Sequence, residues 1–471
     1  MDFNDRKESL RILGKIWDKK SAEFCVVYGR RRVGKTALLA HFAEHKKLLH
    51  WIAYKTTTGE LLVDFSKQLY AYINRGENPA VDFSYGSWQV ALETLAVASQ
   101  KNRLGLIIDE FPYLVESDPS FPSLLQALWD KKLSKTSLFL ALSGSRVSLI
   151  KREVLEPKGP LYGRATATLL LEPIPLSELA VFFPRYSDVQ LLEVYGLTGG
   201  VPKYFELIDD HAPVLKNIEQ TIRERTTMLT SEIYFLLHEE FREIRVYLAI
   251  LRALGKKVST LGELSMFSGL ESKVVSKYVD DLVQLKIIGR QIPAGEDCQK
   301  SRRSQYVLRD LFLNFYFHFI APFLQDIDKA RFEGVLKNLH QQFDAYMGKF
   351  VFERVCQDHL ARLGDEGKLS FRPTTVGAYW DKDCQIDILG INHHDRVMIA
   401  GESKWTNKKM GLSVLKELET KVKKLSRKYD YFCHLVLFSR SGFSDDLVDT
   451  AKKQNALLVA LKDISLPKTT L

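Results

Sequence analysis

One short segment restricts the fold of this chain more than any other. Residues 29–36 read GRRRVGKT and fit the pattern G-x-x-x-x-G-K-[ST]. The apolar run Phe24–Tyr28 precedes the segment, and the helix-forming run Ala37–His45 follows it. A buried strand, a glycine-containing loop and a helix in this order direct backbone N–H groups and a helix N-terminus at phosphate oxygens. The segment therefore predicts a nucleotide site on a parallel α/β sheet.

Each part of this loop suits a part of ATP. The curled backbone surrounds the phosphates, Lys35 reaches the β- and γ-phosphates, and the Thr36 hydroxyl is a ligand of Mg²⁺. We therefore predict that Lys35 is catalytic as well as nucleotide-binding. The predicted nucleotide-binding residues are Gly29, Arg30, Arg31, Arg32, Val33, Gly34, Lys35, Thr36, Ala37 and Asp109.

A second motif supplies the acidic groups that this chemistry needs. The apolar run 106–108 ends in Asp109 and Glu110. We expect Asp109 to hold Mg²⁺ through water and Glu110 to act as general base toward the attacking water. The run Leu48–Tyr54 lies between the two motifs, so we expect it to separate the P-loop strand from the carboxylate strand.

Further candidates follow the second motif. Ser143 or Ser145 can sense the γ-phosphate, and the alternative is an ordinary Ser-Gly turn. Arg146 and Arg164 can stabilise transition-state charge in cis or across a subunit interface, and the alternative for both is a surface ion pair. Of the two arginines, Arg164 is predicted to be catalytic.

The first third of the chain alternates apolar runs with longer amphipathic segments, as expected of an α/β domain with a parallel sheet. Such strands are buried on both faces and therefore nearly continuous in apolar residues. The predicted strands are Phe24–Tyr28, Leu48–Tyr54, Leu104–Asp109, Ser137–Leu142 and Ala167–Leu171.

From about residue 240 the pattern changes to helix, helix, turn, helix and hairpin, which is the layout of a winged helix. The predicted elements are helices Ile244–Leu254, one opening at Thr260 and 272–285, then strands Ile287–Pro293 and Gln305–Leu308. Polar and basic residues of the third helix and the hairpin loop can contact DNA phosphates, namely Ser272, Lys273, Ser276, Lys277, Lys300, Arg302 and Arg303. Asp280 and Asp281 favour the alternative, a packing or subunit-contact module.

The last part of the chain predicts a mixed α/β domain after a connecting helix at 323–345. Its predicted elements are helix Lys349–Leu363, strands Gln385–Ile391 and Arg396–Lys404, helix 412–428, strand Tyr431–Phe438, helix 444–454 and strand Leu457–Leu461. Glu402 and Lys404 are two positions apart on a strand and share one face. Asp387 lies on the paired strand, and Glu353 on the preceding helix.

Carboxylates on paired strands can converge on one hard cation. We predict that Glu353, Asp387 and Glu402 bind Mg²⁺ or Mn²⁺, and that Glu402 and Lys404 are catalytic in metal-assisted phosphodiester hydrolysis. The alternative for Glu402 and Lys404 is a surface ion pair.

The charge and cysteine content fit a nucleic-acid-binding protein of the cytoplasm. The formal charge is +9, and the segment 404–428 holds nine Lys or Arg and two Glu. Beside the carboxylates this run indicates a phosphate-backbone track, with a solvated face as the alternative. The five cysteines include no CxxC pair, which is typical of a reducing compartment. No apolar run reaches the roughly 20 residues of a membrane span, so we expect no membrane partner.

Four sequence runs together resemble the archaeal-type ATPases, P-loop NTPases near the AAA+ and STAND groups: YGRRRVGKTALL, IIDEFPYL, LYGRATATLLLEPI and LTGGVPKYF. The entry segment Phe3–Glu8 also resembles that family. The order Glu353, Asp387, Glu402 and Lys404 resembles the PD-(D/E)XK nuclease core, and Tyr306–Pro322 resembles the join to the nuclease-like domain of such fusions.

The resemblance implies a multidomain α/β protein. The expected parts are a P-loop ATPase core with a parallel sheet at 1–173, a helical lid at 174–239, a winged helix at 240–322, a helical connector at 323–345 and a restriction-endonuclease-like domain at 346–471. The expected function is an ATP-hydrolysing switch or motor coupled to a metal-dependent, DNA-binding nuclease-like domain. RNA is an alternative ligand for that domain. A homo-oligomer is compatible with this function. The alternative is a non-cleaving signalling or scaffold ATPase.

Overall fold

The structure is a computed structural model that describes residues 6–100 and 102–464. The chain divides into two compact units. The first comprises Met1–Pro173, Val201–Lys203 and His238–Arg242, and the second comprises Ile174–Gly200, Tyr204–Leu237 and Glu243–Leu471. Phe3, Asn4 and Asp5 of the entry segment, and the end of the predicted C-terminal domain from residue 465, lie outside the described residues.

A parallel sheet forms the centre of the first unit. Its strands are β1 (Glu23–Tyr28), β2 (Leu48–Ile52), β3 (Leu104–Asp109), β4 (Leu138–Gly144) and β5 (Ala167–Leu170). The order across the sheet is β2-β3-β4-β1-β5, and all neighbouring strands are parallel. The predicted strands are confirmed, with small shifts at their ends. The carboxyl ends of β1, β3 and β4 therefore meet at one edge.

The strand that separates β1 from β3 is β4, and β2 lies at the edge of the sheet. The prediction that Leu48–Tyr54 fills the separating position is therefore wrong. Chain order does not fix sheet order, because a right-handed crossover can place the next strand on either side of its predecessor.

Helices cover both faces of this sheet. Cys25, Val27 and Phe139 point to one face with α1 and α2, and Phe24 and Val26 point to the other. Both faces are buried, which explains why the strands are nearly continuous in apolar residues. The helices of this part are α1 (Lys7–Trp17), α2 (Lys35–Ala43), α3 (Thr58–Ile73), α4 (Trp88–Ser99), α5 (Phe111–Ser117), α6 (Phe121–Lys131) and α7 (Val147–Ile150).

Helices dominate the start of the second unit. They are α8 (Asp188–Thr198), α9 (Val214–Arg223), α10 (Thr227–Thr230), α11 (Glu232–Glu240), α12 (Arg245–Gly255), α13 (Leu261–Ser268) and α14 (Ser272–Gln284). The antiparallel strands β6 (Ile288–Gln291) and β7 (Gln305–Leu308) follow. The predicted order of elements from 244 to 308 is confirmed. The start of α13 is fixed by a capping box between Thr260 and Glu263.

The connector is not one helix. Residues 323–345 hold α16 (Leu324–Asp328) and most of α17 (Glu333–Tyr346), and α15 (Leu311–Phe315) precedes them. The predicted helix 323–345 is interrupted after α16, where Ala330 has φ +56° and leaves the helical conformation. The predicted helix Lys349–Leu363 is present, but its first part belongs to a π-helical segment at Met347–Phe352 and the α-helix begins at Glu353.

A mixed sheet forms the C-terminal part of the second unit. Its strands are β8 (Thr375–Trp380), β9 (Gln385–Asn392), β10 (Val397–Lys404), β11 (Phe432–Ser439) and β12 (Leu457–Ala460), in the order β12-β11-β10-β9-β8. The pairs β8–β9 and β9–β10 are antiparallel, and the others are parallel. The helices are α18 (Glu353–Asp365), α19 (Leu412–Leu425) and α20 (Asp445–Gln454). Strand β8 was not predicted. Within the described ranges, no helix is long and apolar enough to cross a membrane.

Candidate nucleotide and metal sites

The P-loop joins β1 to α2 through residues with a left-handed backbone. Arg32 has φ +69°, and Gly34, which precedes α2, has φ +93°. Glycine adopts such a conformation without the steric cost of a side chain. At Gly29 the reason for glycine is space, because a Cβ there would lie 2.3 Å from the Leu171 carbonyl oxygen. The two glycines of the motif therefore permit the curl of the loop.

Lys35 is buried at the first position of α2. Its Nζ donates to the carbonyl oxygens of Gly29 and Arg30, each at 3.0 Å. Burial lowers the pKa of Lys35, while Glu110 and Asp109 act in the opposite direction. The ammonium group thus lies inside the loop and close to the acidic residues of the second motif.

Asp109 is fully buried at the end of β3. Its Oδ2 lies 3.2 Å from Nε2 of His50 on the neighbouring β2. Burial raises the pKa of Asp109, but His50 and the hydroxyls of Ser143 and Thr36 outweigh it, so that the pKa lies below its ordinary value. The carboxylate and the Thr36 hydroxyl are hard oxygen donors of the kind that Mg²⁺ prefers.

Glu110 follows Asp109 in a left-handed conformation, with φ +53°. This conformation is uncommon for a residue with a side chain and is typical of functional sites. Its Oε2 accepts a hydrogen bond of 2.9 Å from the Ser145 hydroxyl, just beyond β4. Of the two candidate serines, Ser145 therefore contacts Glu110, and Ser143 faces Asp109.

The two candidate arginines are engaged with other protein groups. Arg164 donates from Nε and Nη2 to the carboxylate of Asp130, at 2.9 and 2.8 Å. This arrangement is the ion-pair alternative for Arg164. Arg146 forms an ion pair with Glu116 and donates from Nε to the main-chain carbonyl of Glu239. The structure thus brings Lys35, Thr36, Asp109 and Glu110 together, without Arg164 among their contacts.

Two residues that sequence reasoning missed lie at this edge of the sheet. His50 contacts Asp109, and Glu239 forms an ion pair with the P-loop residue Arg31, with Nη1 and Oε1 2.7 Å apart. Both contacts depend on tertiary pairing, and the sequence carries no local signal for either.

In the C-terminal sheet, Glu402 and Lys404 share one face of β10. The Glu402 side chain is only 4% exposed, and its Oε2 lies 3.6 Å from the Lys404 ammonium. Its other oxygen, Oε1, lies 2.6 Å from Nζ of Lys421 on α19. Burial and Asp387 raise the pKa of Glu402, and Lys421 and Lys404 oppose the rise. The sequence places Lys421 in the basic run that was predicted to contact phosphates, whereas its ammonium contacts the buried Glu402.

Asp387 and Glu353 lie near Glu402. In the antiparallel pair of β9 and β10, Gly401 lies opposite Ile388. Glu402 follows Gly401 on β10 and Asp387 precedes Ile388 on β9, so the two residues are at neighbouring positions of the paired strands. Oδ2 of Asp387 accepts from the backbone N–H of Ser403 at 3.2 Å. Burial first, and then Asp387 and Glu402, raise the pKa of Glu353 to about 8, against the effect of Lys349 and Lys404. The predicted residues are therefore mutual neighbours.

The spacing of these carboxylates is wider than that of an assembled metal site. In the described part of the chain, the one group with three ligand atoms within 4.8 Å of one another is Asp209, Asp210 and His211, which is unrelated to the prediction. Convergence of Glu353, Asp387 and Glu402 on one cation remains a prediction.

Several of the basic residues proposed to meet phosphates bind protein groups. Arg303 of the hairpin loop forms an ion pair with Glu296 and donates to the Trp380 carbonyl, and Lys428 also pairs with Glu296. Ala294 of the same loop is buried against the C-terminal sheet. The exposed members of the basic run include Lys408, Lys409, Lys416 and Lys423. On α14, Ser272, Lys273, Ser276 and Lys277 line an open groove.

Two stretches of the chain match models of known families. Residues 3–208 match a family described as an ATPase domain predominantly from Archaea, and residues 316–421 match a family of archaeal and bacterial proteins of unknown function. An uncharacterized protein of Methanocaldococcus jannaschii is 32% identical over 407 residues, which cover 86% of this chain and 88% of that protein. An uncharacterized ATP-binding protein of the same organism is 48% identical over 46 residues, or 10% of this chain and 78% of that protein.

The chain also resembles solved structures. The ORC2 protein of Aeropyrum pernix, in ADPNP–ADP complexes, has 13% identity and a TM-score of 0.41, covering 73% of this chain and 95% of that chain. A STAND protein with a tetratricopeptide repeat sensor from Pyrococcus horikoshii has 14% identity and a TM-score of 0.30, covering 78% of this chain and 51% of that chain.

Proposed function

The chain belongs to the family of ATPases found predominantly in archaea, and we propose that it couples Mg²⁺-dependent ATP hydrolysis to a metal-dependent, nuclease-like domain that binds DNA. One observation carries the ATPase part: Lys35, Asp109 and Glu110 meet at the carboxyl edge of one parallel sheet. In open α/β sheets this edge is where ligands bind. On this proposal, residues 1–173 are the ATPase core, 174–239 the lid, 240–322 the winged helix, 323–345 the connector and 346–471 the nuclease-like domain.

The ATPase residues have separate tasks. Lys35 would exchange its bonds to the Gly29 and Arg30 carbonyls for the β- and γ-phosphates. Thr36 and Asp109 would hold Mg²⁺, which neutralises developing charge on the phosphates. Glu110 orients and polarises the attacking water as general base. Its hydrogen bond from Ser145 fixes the carboxylate.

Paired variants test the hydrolytic half. Lys35→Ala is expected to abolish ATP turnover and weaken ATP binding, because it removes the charge that faces the phosphates. Glu110→Gln keeps the shape of the side chain but removes the base, so we expect turnover to fall about 10²–10⁴-fold with ATP binding retained. Retained turnover in Lys35→Ala would contradict the proposal.

The nuclease part of the proposal is supported by the clustering of Glu353, Asp387, Glu402 and Lys404. Their carboxylate oxygens are a donor set that suits Mg²⁺ or Mn²⁺, and the raised pKa values of Glu353 and Glu402 reflect burial together with mutual repulsion of the carboxylates. A divalent cation would relieve this repulsion. Lys404 would then steady the nucleophile or the charge that builds on the phosphate.

A second candidate function is favoured by the ion pair between Lys421 and Glu402. The Lys421 ammonium already neutralises the buried Glu402 carboxylate, so this carboxylate does not require a metal ion. The domain can therefore be a module that binds nucleic acid or a partner protein without cleaving. Plasmid nicking with Mg²⁺ or Mn²⁺ separates the two functions. Cleavage by the wild type that is lost in Glu402→Ala and Lys404→Ala supports a nuclease, and Glu417→Ala, on the exposed face of α19, is the control. No metal-dependent cleavage in the wild type would favour the binding module.

A further inference from the structure

A short segment after the helices of the second unit belongs to the first unit. Residues 238–242 include the end of α11, and they are attached at several points. The main-chain carbonyl of Glu239 accepts from Arg146. The carboxylate of Glu240 accepts from the backbone N–H of Val147 at 2.9 Å and from the Ser148 hydroxyl at 2.6 Å. The segment is thus held beside the carboxyl end of β4.

These attachments bring the Glu239 carboxylate to the P-loop. Its side chain is 16% exposed, and its Oε1 lies 2.7 Å from Nη1 of Arg31. Burial raises the pKa of Glu239 to about 7; Arg31 and Lys35 lower it, whereas Glu110 raises it. A third carboxylate therefore lies near Glu110 and the P-loop, and Arg31 is the group that compensates for its charge.

This position conflicts with a bound triphosphate. A nucleotide that enters the P-loop brings several negative charges to the cations that Glu239 already faces, Arg31 and Lys35. Like charges in a partly buried site repel strongly. Phosphate and Glu239 therefore compete for Arg31, and by linkage whatever weakens one interaction strengthens the other.

We propose that Arg31 reads the γ-phosphate of ATP and that Glu239 is its partner when no γ-phosphate is present, which makes this pair a determinant of ATP over ADP. ATP binding then displaces Glu239 and loosens residues 238–242, whereas ADP leaves the pair intact. The inference rests on the proposed function, since it presupposes that the P-loop binds ATP.

Nucleotide affinities of a matched pair of variants test it. Glu239→Gln keeps the side-chain shape but removes the competing charge. We therefore expect the affinity for ATP to increase about tenfold, which is within the usual range of coupling between sites. The affinity for ADP should increase clearly less. Glu44→Gln makes the same change of charge at the opposite end of α2, and its affinities should equal those of the wild type. An unchanged ratio of ATP to ADP affinity in Glu239→Gln would overturn the proposal.

A measurement on the wild type keeps the test independent of that variant's folding. With a non-hydrolysable ATP analogue, backbone amide hydrogen exchange in residues 238–242 should rise several-fold, and ADP should leave it near the nucleotide-free rate. Equal exchange with both nucleotides, although both bind, would also overturn the proposal. If the wild type binds no ATP and has the same ATP affinity and turnover as Lys35→Ala, the proposed function itself fails.

Discussion

At the scale of the residue, His50 contributes to the electrostatics of the predicted magnesium site. It is the polar group of β2 that faces the buried Asp109, 3.2 Å away. A buried carboxylate without such partners shifts toward its neutral form and is a poorer ligand. Groups that orient a metal ligand usually change metal affinity by 10–100-fold when they are removed.

His50→Ala should therefore raise the Mg²⁺ concentration needed for half-maximal ATP turnover by about tenfold. The turnover rate at saturating Mg²⁺ should change much less, because Glu110 and Lys35 remain in place. His41→Ala removes a histidine from the surface of α2 and should have no such effect. An unaltered magnesium dependence in His50→Ala would contradict a role for His50 behind Asp109.

The partly buried carboxyl of a second residue, Glu193, makes the free energy of unfolding depend on pH. Burial raises the pKa of Glu193 on α8 from 4.5 to about 7, with Arg440 opposing and Asp344 adding to the rise. The folded state therefore holds a proton that the unfolded state releases, and this contribution to stability is lost as pH increases from 4.5 through 7. Glu193→Gln removes the penalty of the ionised form.

We expect Glu193→Gln to increase the free energy of unfolding at pH 8 by about 1–2 kcal/mol, reduced for the partial exposure of the side chain. At pH 4.5 the gain should be close to zero. Chemical denaturation at the two pH values measures this difference, and Glu224→Gln, an exposed position of the same unit, is the control. A gain that is equal at both pH values would point to packing instead of charge.

At the scale of the element, α19 directs its lysines to two different environments. Lys421 reaches the buried Glu402, whereas Lys416 and Lys423 are exposed, and the loop before the helix adds exposed Lys408 and Lys409. Sequence alone counts all of these lysines as one positive run. Only the helical phase and the neighbouring strand distinguish the inward lysine from the outward ones.

The exposed lysines are expected to bind the phosphates of nucleic acid. Replacing Lys408, Lys409, Lys416 and Lys423 by Gln should weaken DNA binding and reduce the slope of log K against log salt by about 0.9 for each phosphate that is no longer neutralised. Exchanging Lys423 with Glu419, which keeps the total charge, controls for net charge alone. A full set of replacements with an unchanged slope would place the DNA elsewhere on the protein.

The elements also show what the sequence can predict. Apolar runs next to Gly34 and Asp109 predict the strands β1 and β3 and the start of α2. These predictions are correct because the pattern that indicates each element is local in the sequence. Strand β8 was missed because it is half-buried and interrupted by Gly377, with a shift in pairing there. The edge position of β2 and the contacts of His50, Glu239 and Lys421 depend on sheet order and helix placement. Those are non-local properties, which local periodicity does not encode.

At the scale of the whole molecule, the chain combines a nucleotide site in one unit with a carboxylate cluster in another. The strongest link between the two functions would be thermodynamic: if ATP changes the affinity for DNA by some factor, DNA must change the affinity for ATP by the same factor. A switch of the proposed kind therefore requires two equal factors, one for each affinity. Two independent domains joined in one chain would show no change in either affinity.

We expect a non-hydrolysable ATP analogue to change the DNA dissociation constant by about 5–100-fold, and DNA to change the analogue's dissociation constant by an equal factor. Fluorescence titrations in both directions measure the two factors. Lys35→Ala should abolish both, because it removes the ammonium group that binds the phosphates, whereas Glu402→Ala should preserve both while removing any cleavage. If the analogue and DNA each bind but neither changes the affinity for the other, the coupled switch is contradicted. The two sites would then operate independently, and the C-terminal domain would have to be assigned a function without reference to ATP.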